Sequence, residues 1–412
     1  MPTTTTPSVR PSGSLTSPAS FDGGQPHELF AWLRANDPVS WHSEPDGPGF
    51  WAVTRHDDVR TVGLDHRRFS SEPTIMMADP EPGTSVSVGD HKMMLMSDPP
   101  YHTALRRLIS RDFTPRSAQA YRPRVAELAR TIVDEVIERG ECDLVADVAG
   151  EMPSYVAAEL LGLPLADGRE LYRLTEVLHS DPASVAPGAA AAALGDMFAY
   201  AQGVIAEKRR RPADDLASKL LAAEVDGHRL DDIDFNLFFL LLIDAAGDTT
   251  RNLFAGGYLV LFDHPDQAQR LRTEPALLPL AVEELLRWVS PVVYMRRTAS
   301  VDTELGGRPI AAGDKVLMYY GAANRDDAVF DRAQDLDLGR QPNPHVAFGG
   351  GGPHVCLGAH LARVELAALF AEVVTRMPDL EPAGPPSWLA STFISGPRSM
   401  PVRFTPGPRS TP

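Results

Sequence analysis

The amino-acid sequence predicts a mainly α-helical fold with a minor β component. Three observations carry this. Apolar residues recur at helical spacing through most of the chain. One such run, residues 232–262, is long enough for roughly eight helical turns. Signals for β-structure are few and short.

Taken in order, residues 28–34 read as helix and 50–54 (Phe-Trp-Ala-Val-Thr) as a strand. Residues 70–100 read as a methionine-rich loop holding Met76, Met77, Met93, Met94 and Met96. Its prolines and glycines forbid one long helix, and loops of this length usually carry a function. Helices follow at 102–111, 121–139, 153–161, 189–211, 216–224, 232–262, 265–273 and 277–289, with a last one at 357–376. Short β signals lie at 304–308 and 315–318.

The chain has 412 residues, above the roughly 250–300 at which a single core tends to split, so one large unit or two lobes are allowed. We read residues 1–20, rich in Thr, Ser and Pro, as a disordered lead-in to a single domain over 21–412. The net charge of −16 argues against nucleic acid or an anionic membrane surface as partner. The most apolar stretch, 235–243, is shorter than the about 20 residues a bilayer needs, and the N-terminus has no apolar run. A cytoplasmic, monomeric protein is expected. Two cysteines in so long a chain make no disulfide framework, so each is weighed alone.

Cys356 stands in the run Ala347-Phe348-Gly349-Gly350-Gly351-Gly352-Pro353-His354-Val355-Cys356-Leu357-Gly358. It stands at the start of an amphipathic helix, where free N–H groups and the helix dipole stabilise a thiolate, a strong ligand for iron. A phosphate loop would need Gly-Lys-Ser/Thr, a zinc site further Cys or His at ligand spacing, and a c-type haem site Cys-x-x-Cys-His; all are absent. A nucleophilic cysteine stays open. Cys142 has no such surroundings and reads as a packing residue.

The long helix is interrupted by Asp244-Ala245-Ala246-Gly247-Asp248-Thr249-Thr250. Acids in an apolar helix normally lie on a polar face. An adjacent acid and alcohol suit a different role, in which the threonine bonds back to the i−4 carbonyl and the acid manages protons. Glu284 and Arg287 stand at i and i+3, and His102 and Arg106 at i and i+4 after Asp98-Pro99-Pro100-Tyr101. Alone, such pairs are commonplace.

Together these runs resemble the cytochrome P-450 superfamily, over about residues 25 to 405 and in the family's motif order. Phe348 stands eight residues before Cys356, one more than the commoner pattern, with one extra glycine. Similar longer loops occur in actinobacterial sterol and methyl-branched-lipid hydroxylases. The resemblance implies a helical bundle with a small β-rich lobe, and haem b between the long central helix and the cysteine-loop helix. It makes Cys356 the iron ligand, with Phe348, Gly349, Gly358 and Ala245 beside the haem. His102, Arg106, Arg297 and His354 would hold the haem carboxylates, with Arg296 the alternative to Arg297. Glu284 and Arg287, with Arg340 as third partner, would form a buried structural network. Asp248 and Thr249 match the oxygen-activating pair, with Ala246 where glycine is usual.

The activity implied is insertion of one oxygen atom from O2 into a C–H bond of an apolar substrate: a sterol, terpenoid, branched lipid or natural-product intermediate. The expected pocket draws on Met76, Met77, Leu241, Asp244, Ala245, Val292, Val293, Phe393, Ile394 and the alanine-rich helix near Ala189. Asp244 would favour a substrate carrying a cation or hydrogen-bond donor. Electrons would come from a ferredoxin and its reductase, docking on Arg107, Arg111, Arg116 and Arg363. The alternatives are a non-hydroxylating oxidation on the same scaffold, a non-catalytic haem protein, or a thiol enzyme without haem.

Overall fold

The computed structural model describes residues 9–80, 91–179, 185–225 and 227–410. Helices dominate: α1 (His27–Asn36), α2 (His56–Leu64), α3 (Tyr101–Ile109), α4 (Pro115–Val136), α5 (Glu151–Leu161), α6 (Leu165–His179), α7 (Ala189–Arg210), α8 (Leu216–Leu221), α9 (Asp232–Asp263), α10 (Pro265–Thr273), α11 (Leu278–Val289), α12 (Tyr320–Ala323) and α13 (Ala359–Arg376).

The central helix is α9. It is started by a capping box: the Asp231 carboxylate accepts from the N–H groups of Ile233 and Asp234, while Asp234 accepts from the N–H of Asp231. Its apolar residues point all round rather than along one stripe, which suits a helix enclosed by others. It is packed by α5, α6, α7, α11 and α13. The last long helix, α13, lies along α4 and against α11. Among the described residues α7 alone is long and apolar enough to cross a membrane, a property its alanines confer; here it packs on α6, α8 and α9.

A smaller lobe holds a five-stranded sheet in the order Val39–His42, Phe50–Val53, Lys315–Tyr319, Tyr294–Ala299, Phe69–Ser70. Lys315–Tyr319 runs parallel to Phe50–Val53 and antiparallel to Tyr294–Ala299. Side chains alternate between faces of a strand, so Arg296 and Arg297 point opposite ways. Arg296 reaches Asp79 at 2.6 Å, and Lys315 holds Asp79 at 2.9 Å and also pairs with Glu44. These bonds tie the start of the methionine loop to the sheet.

Of the expected lead-in, residues 1–8 lie outside the described residues. The remainder is placed, because Leu15 finds an apolar site and is fully buried, and Pro18–Phe21 form a 3-10 turn. Within the methionine loop, Met94–Met96 form a short 3-10 turn and Met93 and Met94 enter the core; residues 81–90 lie outside the described residues. Several elements go beyond those the sequence predicts. The helix α6 carries Gly168 inside it, a weak helix former. That glycine lies against the Ser154 carbonyl of α5, where a Cβ would come within 2.4 Å. The helix α2 and the strands Val39–His42 and Tyr294–Ala299 are short and rich in polar residues, which masks their period.

Candidate functional site

One large cavity lies between α9 and the start of α13. Its wall brings together Cys356, Phe348, Gly349, Gly358, Ala245, Asp248 and Thr249, and along one side His102, Arg106, Arg297 and His354. The sequence-predicted residues of the cysteine loop and of the acid–alcohol pair thus meet across one space.

The cysteine loop is held from three directions. The Cys356 N–H donates to the Phe348 carbonyl at 2.9 Å, and Arg106 donates to the Val355 carbonyl at 2.7 Å. Arg363 lies 4.5 Å over the Phe348 ring and pairs with Glu283 at 2.6 Å. Gly349, Gly351 and Gly352 adopt positive φ, which favours glycine. Gly350 and Gly352 are pressed onto α2, where added Cβ atoms would meet the Val59 carbonyl at 2.7 Å and the Gly63 carbonyl at 2.2 Å. The longer glycine run therefore has a floor, the backbone of α2, which the sequence did not reveal. The Cys356 side chain opens onto the cavity deep within the protein rather than onto the outer surface. Burial pushes its thiol pKa up, while the Gly358 N–H and the Arg106 and Arg363 guanidinium groups pull the other way.

Among the described residues, none of the four donors on the cavity side is paired with a carboxylate. The rings of His102 and His354 lie with centroids 4.0 Å apart, tilted by 39°. Each leaves Nδ1 buried with no hydrogen-bond partner, and His354 Nε2 meets Ser71 Oγ at 3.0 Å. Burial, then the positive charge of Arg106, lowers the His102 pKa to about 4. Burial, then Arg297, lowers that of His354 to about 2. Burial also lowers the pKa of Arg297. Neither Arg106 nor Arg297 has a carboxylate within ion-pair distance among the described residues. A buried guanidinium such as that of Arg297, with no carboxylate paired to it, is costly. The arrangement fits a group with carboxylates at one edge and a metal ion that a thiolate binds, as haem has.

On the facing helix, Thr249 Oγ1 donates to the Ala245 carbonyl at 3.2 Å, the expected i−4 bond. The helix α9 nevertheless runs unbroken through it. Asp248 is 2% exposed. It accepts from the Tyr172 hydroxyl at 3.0 Å and faces Arg251 at 3.4 Å. Arg251 pairs in turn with Glu176. The Tyr172 ring lies over Gly247, where a Cβ would be 2.6 Å from it. Tyr172 and Glu176 went unpredicted because α6 did.

Glu284 is fully buried at the centre of a closed network. Arg287 donates to it at 2.7 and 2.8 Å, Arg340 at 3.1 Å, Asn343 at 3.1 Å and the Asp337 N–H at 3.0 Å. The spare donors of Arg287 reach the carbonyls of Asn324, Ala333 and Asp335.

The far end of the cavity is apolar. Leu241, Ala245, Val292, Phe393 and Ile394 line it, as does Asp244. Three expected pocket residues do not. Val293 points the other way from Val292 and is wholly buried in the sheet-side core. Met76 and Met77 pack on that same core, and Ile75, Met94, Leu95 and Met295 take the wall positions. The alanine-rich α7 contributes no lining residue, because α6 and α9 cover its buried face. Arg363 is not a free docking charge, since Glu283 and Phe348 hold it. Glu365 lines the cavity although nothing in the sequence singled it out.

Comparison with known proteins agrees with this geometry. The cytochrome P450 family profile matches residues 171–378. A methyl-branched lipid omega-hydroxylase of Mycobacterium tuberculosis is 39% identical over 389 residues, covering 91% of this chain and 90% of the relative. A steroid C26-monooxygenase of Rhodococcus jostii is 35% identical over 402 residues, covering 95% of this chain and 84% of the relative. The structure of a Mycobacterium marinum cytochrome P450 in complex with pseudoionone superposes with a TM-score of 0.89 at 39% identity, covering 97% of this chain and 100% of that one.

Proposed function

The chain belongs to the cytochrome P450 family, and from that premise we propose that it hydroxylates a branched lipid, a steroid or a terpenoid of similar size. It is a haem-thiolate monooxygenase of apolar substrates that draws electrons from an external donor. The observation that carries the reading is Cys356 facing Asp248 and Thr249 across one cavity, with His102, Arg106, Arg297 and His354 at its side unpaired with any carboxylate among the described residues. When bound, haem supplies the activation of O2 and the insertion of one oxygen atom.

The residues divide the remaining work. Cys356 holds the iron, with its N–H groups and nearby cations favouring the thiolate. His102, Arg106, Arg297 and His354 hold the carboxylates. Thr249, on its i−4 bond, presents a hydroxyl to the cavity, and Asp248 behind it receives and returns protons. The wall of Leu241, Val292, Phe393, Ile394, Ile75 and Met94 excludes water and favours an apolar substrate. Asp244 on that wall supports a substrate that carries a hydrogen-bond donor at one end. A ferredoxin and its reductase are the proposed donors. Arg107, Arg111 and Arg116 are exposed beside a groove, lined by Phe113 and His360, that opens towards Cys356. Charge reversal of these three should slow reduction.

The test is the spectrum of the reduced, carbon monoxide-bound protein. A thiolate-type Soret shift is expected, lost in Cys356→Ala; its absence in the parent protein sinks the reading. A screen of steroids, branched fatty acids and terpenoid ketones for a low- to high-spin shift then names the substrate class. Asp244→Asn should weaken the donor-bearing members of that set, and equal affinity across pH would remove Asp244 from the pocket's role.

A further inference from the structure

His91, in the methionine loop, lies against the first turn of α9. Its Nδ1 is 2.9 Å from Asp234 Oδ1, and its Nε2 is 3.4 Å from Asp231 Oδ2. The same two carboxylates form the capping box of α9, but with their other oxygens. Asp231 Oδ1 accepts from the N–H groups of Ile233 and Asp234, and Asp234 Oδ2 accepts from the N–H of Asp231. One oxygen of each acid thus serves the helix and the other faces the imidazole. A neutral imidazole has one N–H donor and one bare nitrogen, whereas the protonated ring has two donors. Two ring nitrogens that each face a carboxylate oxygen call for the protonated ring. The positive end of the helix, worth roughly half a charge, opposes a cation there, and two carboxylates outweigh it.

The charged and titratable groups around this contact are committed elsewhere. Asp232, between the two acids in sequence, pairs with Arg209 of α7. Lys92 pairs with Glu72 at 2.8 Å, and neither of those groups titrates near neutral pH. Burial, then Asp234, raises the pKa of Tyr101 on α3, so its phenol stays neutral. Within residues 91–97, His91 is the one side chain whose charge changes near neutrality. Met94 and Leu95, a few residues further on, stand on the cavity wall. Their 3-10 turn packs against α9 and α3. Lys92 and Met93 alone separate His91 from that turn, which leaves little slack between them.

We propose that His91 is a positioning residue for the substrate pocket: its protonated ring clasps the methionine loop to the first turn of α9 and so fixes the wall formed by Met94 and Leu95. Loss of the proton removes one donor and the charge, and the clasp loosens. The wall is therefore held below the titration of the ring and freed above it. The clasp stands independently of the haem-thiolate reading, while its bearing on the pocket rests on that reading.

The clasp is tested by amide hydrogen exchange of the holoenzyme on both sides of neutrality, with rates corrected for the intrinsic effect of pH. Titration of the His91 ring is read on protein carrying 13C-labelled histidine, with the resonance assigned through His91→Gln. Protection of residues 92–97 should fall by about threefold or more as pH rises through that titration. His91→Gln should show the lower protection throughout. Asp234→Asn, which keeps an oxygen for the capping bond, should shrink the pH dependence. Flat protection in the wild type, or a pH dependence unchanged in either variant, overturns the proposal. The pocket is read separately, by carbon monoxide rebinding after photolysis of the reduced protein. Rebinding should quicken above the His91 titration in the wild type and lose that step in His91→Gln. A constant rate across the titration removes His91 from the pocket. Absence of the thiolate-type Soret shift would sink the haem reading and leave the exchange result standing.

Discussion

Two buried groups of charged side chains adjoin the cysteine helix, and they are built on opposite terms. Around Glu284, Arg287 and Arg340 every strong donor meets an acceptor, and the carboxylate receives donors from three side chains and a backbone N–H. Around His102, Arg106, Arg297 and His354 there are donors and, among the described residues, no carboxylate at ion-pair distance; the nearby Asp98 is taken up by Ser70 and Ser71. Closure marks the first as part of the scaffold. Openness marks the second as half of an interaction whose other half is a ligand. Burial alone does not separate them, since Arg287 and Arg297 are both nearly inaccessible. Whether a partner is present does.

That contrast can be broken experimentally, beginning with the closed network. Arg287→Ala leaves Glu284 charged and enclosed, and should destabilise the protein by about 3–5 kcal/mol in urea unfolding. Arg297→Leu should behave differently. Apoprotein stability should hold or rise, because a desolvated cation is removed, while haem affinity falls by about 10- to 100-fold, measured by transfer to apomyoglobin. Equal loss of apoprotein stability in both variants would erase the distinction.

The open group should also be the acid-sensitive one. Burial holds the folded-state pKa of His102 at about 4, below the ordinary 6.5. Between those values the unfolded chain binds the proton and the folded chain does not, so folding is penalised. The apoprotein should keep this contribution in full above pH 6.5 and lose it progressively as pH falls towards 4. His102→Gln should flatten that slope in unfolding measurements. The smallest change is Asn343→Ala, which removes one donor of several from Glu284 and should cost about 1 kcal/mol.

The sequence made some of this legible and hid the rest for identifiable reasons. The long run of α9 and the glycine loop before Cys356 are local patterns, and both elements lie close to where the residues place them. The pairing of Glu284 with Arg287 is local too, whereas Asn343 and the carbonyls of Asn324 and Ala333 join by tertiary folding alone. Arg296 and Arg297 were inseparable by spacing; strand alternation sends one to Asp79 and the other to the cavity. Val292 and Val293 divide in the same way. Tyr172 was hidden because α6 carries an internal glycine that only the packing against Ser154 explains. Glu365 was open to inspection in principle, as an acid among the core positions of α13, but nothing local distinguishes it from an exposed helix acid.

The contact between the glycine loop and α2 bears on how the chain reaches its finished form. Gly63 and Gly350 touch backbone to backbone although most of the polypeptide separates them. A support of this kind does not exist while the C-terminal part is still being made, nor in any fragment that begins after α2. The loop before Cys356 would then have nothing beneath its glycines. The thiolate should accordingly be among the last features to be set, once both ends of the chain have met. Cofactor capture would follow chain closure, and a protein shortened past α2 should fold in part while binding haem poorly.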